Sequence, residues 1–124
     1  MRLLLDTHLL LWALATPSRL SAKALKQIEG AEVFASTASI WEISIKSALG
    51  KIAADPAEIL AAIEPAGFEI LPITGTHAAK VFELPLLHKD PFDRMLVAQA
   101  LCEPLILLTN DEVLRPYGQF VTVL

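Results

Sequence analysis

Five acids in this chain fall at positions where carboxylates could act together. The stretch His88–Ala100, HKDPFDRMLVAQA, places Asp90 and Asp93 three residues apart. Pro91 suits the first position of a helix, because the N–H it lacks would have no partner there. Asp90 is then the N-cap and Asp93 the third helical residue. Asp6 closes an apolar run near the start (RLLLD), Glu42 lies in SIWEISIKSALG, and Asp111 ends LLTND. Oxygen donors without thiolates or clustered imidazoles select Mg²⁺ or Mn²⁺ over zinc or copper. Such ions serve phosphate chemistry, activating a water and stabilising a leaving oxygen. Taken singly, each acid also has an ordinary structural explanation. Glu42 stands three residues after Ser39, as in a capping box. Asp6 suits the cap of a following helix, Asp111 a turn, and Asp90 and Asp93 complement a helix dipole. Taken together, Asp6, Glu42, Asp93 and Asp111 would repel one another strongly around one cleft, which argues against a purely structural cluster.

Convergence depends on the elements that carry them. Arg2–Asp6 reads as a parallel strand buried on both faces. A helix beginning at Thr7 or its neighbour runs to Thr16-Pro17, and Ser21 caps a second helix that Gly30 ends. Glu32–Ser36 is the second strand, followed by a helix from Ser39 that ends near Gly50. Asp55-Pro56 starts another helix, Phe68–Ile73 is the third strand, and Thr74–Leu84 is helical. After the Asp90-Pro91 helix come a strand at Pro104–Thr109, a short helical turn and a last strand at Gln119–Val123. Strands alternate with helices, and each connection is long enough for a parallel crossover. The expectation is a three-layer α/β domain with a parallel sheet of four or five strands, one domain over residues 1–124. Sites in such sheets form at the carboxyl ends of the strands, where the strand order reverses. Asp6, Glu42 and Asp111 fall at that end by chain order. Asp93 joins them only if its helix opens at the same edge.

Composition narrows the setting. Hydrophobic residues make up 54% and charged residues 19%, yet no apolar run approaches the ~20 residues of a membrane span. Asp6 interrupts any N-terminal signal pattern, so a cytoplasmic protein without membrane attachment is expected. Cys102 is the only cysteine, expected as a buried structural thiol. The apolar surplus needs an outlet, such as a homodimer face or a partner groove. The net charge of −4 argues against a nucleic-acid partner, unless several acids recruit the cations that attract phosphate.

The motifs LLLDTHLLLW, SIWEISIKSALGKI, HKDPFDRMLVAQA and LLTND, in this order, resemble the PIN-domain ribonucleases, and most closely the VapC-like toxins of toxin–antitoxin pairs. The resemblance covers nearly the whole chain. It implies a PIN-like fold and a metal-dependent endoribonuclease with Mg²⁺ or Mn²⁺ as cofactor. Asp6, Glu42, Asp93 and Asp111 would be the acid quartet. Asp6, Asp93 and Asp111 would be metal ligands, Glu42 a ligand or water-orienting base, and Asp90 either a ligand or only a helix cap. It further implies an RNA substrate, a cognate antitoxin, a homodimer, and products with 5′-phosphate and 3′-hydroxyl ends. Thr109, which precedes the last acids, is a candidate for substrate contact.

Other polar residues divide less sharply. Lys46 is one turn beyond Glu42, fit either for an i,i+4 pair or for an RNA phosphate. Arg94 would hold substrate or pair with a neighbouring acid. His8, His77 and His88 share no metal-ligand spacing and read as polar or capping residues. Trp12 and Trp41 lie on apolar helix faces, as core or interface residues do. A phosphoacceptor receiver domain would need paired acids after the first strand and a lysine ending the last, and neither is present. A haloacid-dehalogenase-type phosphatase would need an acid where His8 stands. A catalytically idle PIN domain acting as a binding module is the alternative of a different class.

Overall fold

A computed structural model describes all residues, Met1–Leu124. Its five strands are β1 (Arg2–Leu5), β2 (Glu32–Ser36), β3 (Glu69–Leu71), β4 (Ile106–Thr109) and β5 (Val121–Val123). They form one sheet in the order β3-β2-β1-β4-β5, and every neighbouring pair is parallel. The helices are α1 (Thr7–Ala15), α2 (Ala22–Glu29), α3 (Thr37–Ala48), α4 (Pro56–Ile63), α5 (Gly75–Lys80) and α6 (Pro91–Cys102). Short 3₁₀ turns occupy Pro17–Arg19, Val81–Glu83 and Glu112–Tyr117. The α/β expectation holds with five strands. The third and fifth are shorter than their apolar runs, because each is an edge strand with one paired neighbour.

The three layers follow from the two-residue period of β1. Leu3, Leu4 and Leu5 are all fully buried, but they serve opposite faces. Leu4 packs with Phe34, Leu96, Val97 and Leu107 in one core. Leu3 and Leu5 pack with Leu9, Leu10, Val33, Ile63 and Leu108 in the other. Truncating any of these leucines to alanine would cost about 2–5 kcal/mol, so the register of the central strand is strongly fixed. No helix is long and apolar enough to cross a membrane.

Two helix ends differ from expectation in ways that matter for the site. The helix after β2 begins at Thr37, not Ser39, because the Ser36 Oγ already caps it by accepting from the Ala38 N–H (3.0 Å). Glu42 therefore sits in the second turn, and the Ser39–Glu42 capping box does not exist. Ser39 instead accepts a buried hydrogen bond from the Thr7 hydroxyl (3.0 Å), tying α3 to α1. At its other end α3 closes through Gly50, whose φ of +74° is a left-handed conformation that favours glycine. The Gly50 N–H donates to the Ser47 carbonyl (3.0 Å) and the Lys51 N–H to that of Lys46 (2.8 Å), a Schellman closure.

Candidate active site

The strand order reverses on either side of β1, which opens a crevice at the carboxyl ends of β1 and β4. Asp6 follows β1 and caps α1, its Oδ1 accepting from the Leu9 N–H (2.9 Å). Asp111 follows β4 and caps the next 3₁₀ turn by accepting from the Val113 N–H (3.0 Å). Glu42 enters from α3. Asp93 enters from the first turn of α6, which opens at this same edge. A cleft of about 130 Å³ is lined by Asp6, Thr7, His8, Glu42, Lys46, Asp90, Asp93 and Asp111, with no hydrophobic side chain. All four acids of the expected quartet, and Asp90, face one space.

Its electrostatics are strained. Asp6 is only 6% exposed, and burial pushes its pKa up against the lowering effect of hydrogen bonds from the Thr109 hydroxyl and the Leu9 amide. Asp93 is pushed up to about 7, first by burial and then by the charges of Asp90, Glu42, Asp6 and Asp111. Lys46 is the cleft's lysine: it binds Glu42 Oε2 at 2.6 Å, and its pKa rises chiefly through that bond. Glu42 Oε1 is buried with no partner. An orphaned carboxylate oxygen and a carboxyl whose ionisation its neighbours oppose are what a hard cation would relieve, so the donor set fits Mg²⁺ or Mn²⁺. No three His, Cys, Asp or Glu side chains stand close enough to form a closed ligand set.

Asp90 acts as a cap: its Oδ1 accepts from the N–H groups of both Phe92 and Asp93 (2.9 Å each). Lys46 makes the i,i+4 pair while lining the cleft. Thr109 is not a substrate-contact residue, since it is fully buried. Its hydroxyl donates to Asp6 Oδ2 and accepts from the Asp111 N–H (3.0 Å), so it holds the two strand-end acids in mutual register. Arg94 does not line the acid cleft and pairs with no acid. It is 7% exposed and donates to the carbonyls of Pro85 (2.8 Å), Val81 (3.3 Å) and Leu84 (3.5 Å) and to the Tyr117 hydroxyl (3.0 Å). It pins the segment preceding α6 against that helix. Trp41 is 58% exposed, not core, and meets Phe92 edge-on at 5.0 Å. Cys102 is only partly buried. His77 completes a capping box with Thr74 at the start of α5.

His88 and Tyr117 are site residues that pattern alone did not reveal. The Tyr117 hydroxyl accepts from Arg94, so its hydrogen goes to His88 Nδ1 at 2.7 Å. That assignment leaves the proton of His88 on Nε2, which faces Asp93 Oδ2 at 3.5 Å and has no closer partner. The one available signal was His88 standing two residues before the Asp90 cap; Tyr117 gave none.

The family model for the PIN domain matches residues 3–118. Among solved structures, a chain of VapBC2 from Rickettsia felis, bound to a DNA fragment from their promoter, is 14% identical with a TM-score of 0.70. The match covers 100% of this chain and 98% of that one. A chain of a toxin–antitoxin complex from Klebsiella pneumoniae is 18% identical with a TM-score of 0.66, covering 97% and 95%. FitAcB from Neisseria gonorrhoeae is 18% identical with a TM-score of 0.62, covering 88% and 87%. At these identities the likeness is one of fold. No curated protein matches in sequence.

Proposed function

The chain belongs to the PIN-domain family, and from that premise we propose that it is a metal-dependent endoribonuclease, the toxin of a toxin–antitoxin pair that blocks translation by cutting RNA. The observation that carries this reading is the acid cleft, with Asp93 held at about 7 and Glu42 Oε1 buried without a partner. Asp6 and Asp93 would hold Mg²⁺ or Mn²⁺ directly and Asp111 through water. When bound, the ion supplies a water of lowered pKa and a counter-charge for the phosphate.

The remaining work falls to the protein's own groups. Lys46 fixes one oxygen of Glu42, which leaves Oε1 free to orient the attacking water and accept its proton. Thr109 holds Asp6 in place from behind. His88 Nε2–H, 3.5 Å from Asp93 Oδ2, is placed to steady that carboxylate. Asp90 shapes the start of α6 so that Asp93 reaches the cleft at all. Water attacks the phosphorus in line and gives its proton to Glu42, and the bond to the ribose 3′-oxygen breaks as that oxygen takes a proton from solvent.

An antitoxin partner is supported by the fold neighbours, which come from toxin–antitoxin complexes. A homodimer is supported by apolar side chains left in solvent near α5 and α6, where Phe82 is 93%, Leu86 91% and Trp41 58% exposed. Light scattering that finds a monomer at micromolar concentration would remove the dimer. A cytoplasmic setting, one domain over residues 1–124, goes with this reading. The test of the chemistry is the ends of the products. Purified protein incubated with RNA and Mg²⁺ should yield 5′-phosphate and 3′-hydroxyl termini, whereas 2′,3′-cyclic phosphate ends would mean that the ribose, not water, attacks.

A further inference from the structure

Next to the acid cleft lies a second cavity of about 420 Å³, lined by His8, Leu11, Trp12, Ala15, Thr16, Arg19, Lys51, Ile52 and Ala53. The two spaces share His8 as a common wall. The volume lies within the range of small-ligand pockets.

The chemistry of its walls is the reverse of the cleft's. The Arg19 guanidinium lies 4.9 Å from the centre of the Trp12 ring, and the His8 ring is tilted against the same indole at 6.3 Å. Lys51 completes the rim, placed there by the left-handed closure at Gly50. Neither Arg19 nor Lys51 is held in an ion pair. Of the ten Lys and Arg, Arg2, Lys46, Lys80 and Arg115 are in ion pairs, and Arg94 is taken up by carbonyls. Five remain, and two of those five, Arg19 and Lys51, stand on this one cavity.

A polyanion cut in a cleft lined by five carboxylates needs cations on either side of the scissile bond. The cleft's own lysine is bound to Glu42, whereas Arg19 and Lys51 on the adjoining cavity are in no ion pair. An aromatic ring beside an arginine plane and a lysine is the combination that takes single-stranded nucleic acid, with base on ring and phosphate on cation. We propose that the Trp12–Arg19–Lys51 cavity is a substrate subsite that seats a nucleotide of single-stranded RNA flanking the scissile phosphate, its base stacked at Trp12–Arg19 and its phosphate at Lys51. This subsite rests on the ribonuclease reading above and extends it to how the strand is held.

The test uses Trp41→Phe protein, in which Trp12 is the sole tryptophan, titrated with a single-stranded RNA oligonucleotide in EDTA so that binding is read without cleavage. RNA should quench Trp12, and Arg19→Ala with Lys51→Ala should weaken the apparent affinity roughly tenfold. With Mg²⁺ the same two substitutions should raise KM by a similar factor and leave kcat unchanged. Arg19 and Lys51 are exposed, so these variants keep the fold where a Trp12 truncation would disturb the core. Cleavage by the wild type with KM and fluorescence indifferent to both substitutions overturns the subsite and spares the nuclease; a cavity that seats a protein segment instead gives this result. Quenching that depends on Arg19 and Lys51 in a protein that never cleaves RNA sustains the subsite and overturns the nuclease.

Discussion

Two polar clusters sit on the same helix, and only one of them is complete. Toward the C-terminal half of α6, Gln99 accepts from the Ser36 hydroxyl (2.5 Å) and donates toward His77 Nδ1 (3.4 Å) and the Pro72 carbonyl (3.5 Å). His77 Nδ1 accepts from the Thr74 N–H (3.1 Å), so its proton is on Nε2, where Glu103 accepts it at 2.5 Å. None of the buried polar side-chain atoms of Ser36, His77 and Gln99 lacks a partner, and the cluster is closed. At the N-terminus of α6 the acid cleft has the opposite character: five carboxylates, one lysine, an orphaned oxygen on Glu42. Closed networks hold a fold together, whereas an acceptor-rich one held open by neighbouring structure stores electrostatic strain that a ligand can release. Burial alone does not distinguish the two clusters, since each contains buried polar side chains. The difference is the sign and pairing of their partners.

Breaking the open cluster should have the largest effect, and on activity. Asp6→Asn or Asp93→Asn should reduce RNA cleavage by roughly a thousandfold or more, with far-ultraviolet circular dichroism unchanged. Variants that keep wild-type rates would take both residues out of the chemistry.

The same cluster should reveal its strain in metal-free stability. The Asp93 pKa is raised from its ordinary 3.8 to about 7, so the folded state resists ionising it while the unfolded chain does not. That contribution is fully present below about pH 4 and is lost as pH rises through about 7. The loss is on the order of 2–4 kcal/mol, an upper bound because Asp93 is partly solvated. Urea unfolding in EDTA at pH 5 and pH 8 reads it directly, and Asp93→Asn should remove the difference. Equal slopes in wild type and variant would mean that Asp93 does not carry the strain.

The closed cluster should behave in the converse way. Gln99→Leu leaves the Ser36 hydroxyl and the Pro72 carbonyl short of a partner and should cost about 1–3 kcal/mol of stability, while cleavage per folded molecule stays near wild type. Urea midpoints paired with rates normalised to folded protein check this, and a lost rate in a stable Gln99→Leu protein would erase the distinction between the clusters.

Much of this was legible in the sequence, and the losses have physical reasons. Strand-end acids and the Asp90-Pro91 start are local signals, so the convergence of Asp6, Glu42 and Asp111 followed from chain order once the sheet was parallel, whereas that of Asp93 depended on the edge at which α6 opens, which only the tertiary structure decides. The helix start at Thr37 was missed because Ser36 and Ser39 are both competent caps, and only the strand's end point decides between them. Arg94 was misread because its partners are main-chain carbonyls of residues 81–85, which carry no side-chain signature. Thr109 was placed beside the right acid but with the wrong duty: the sequence shows adjacency to Asp111, not the buried bond across to Asp6. The relay from Arg94 through Tyr117 to His88 spans three separate segments, beyond the reach of any periodicity.

That relay gives the smallest expected effect. Tyr117→Phe or His88→Gln should weaken Mn²⁺ binding by about tenfold, as for other groups that orient a ligand from behind. Titration followed by the paramagnetic signal of free Mn²⁺ measures it without relying on turnover, and unchanged affinity in both variants would reduce the relay to packing.

The central claim is that the open cluster is a divalent-metal centre that cuts RNA, and chelation tests it most directly. Purified wild-type protein should cleave single-stranded RNA in Mg²⁺ or Mn²⁺, stop in excess EDTA, and resume when the ion is restored. Equal cleavage in excess EDTA would contradict the account.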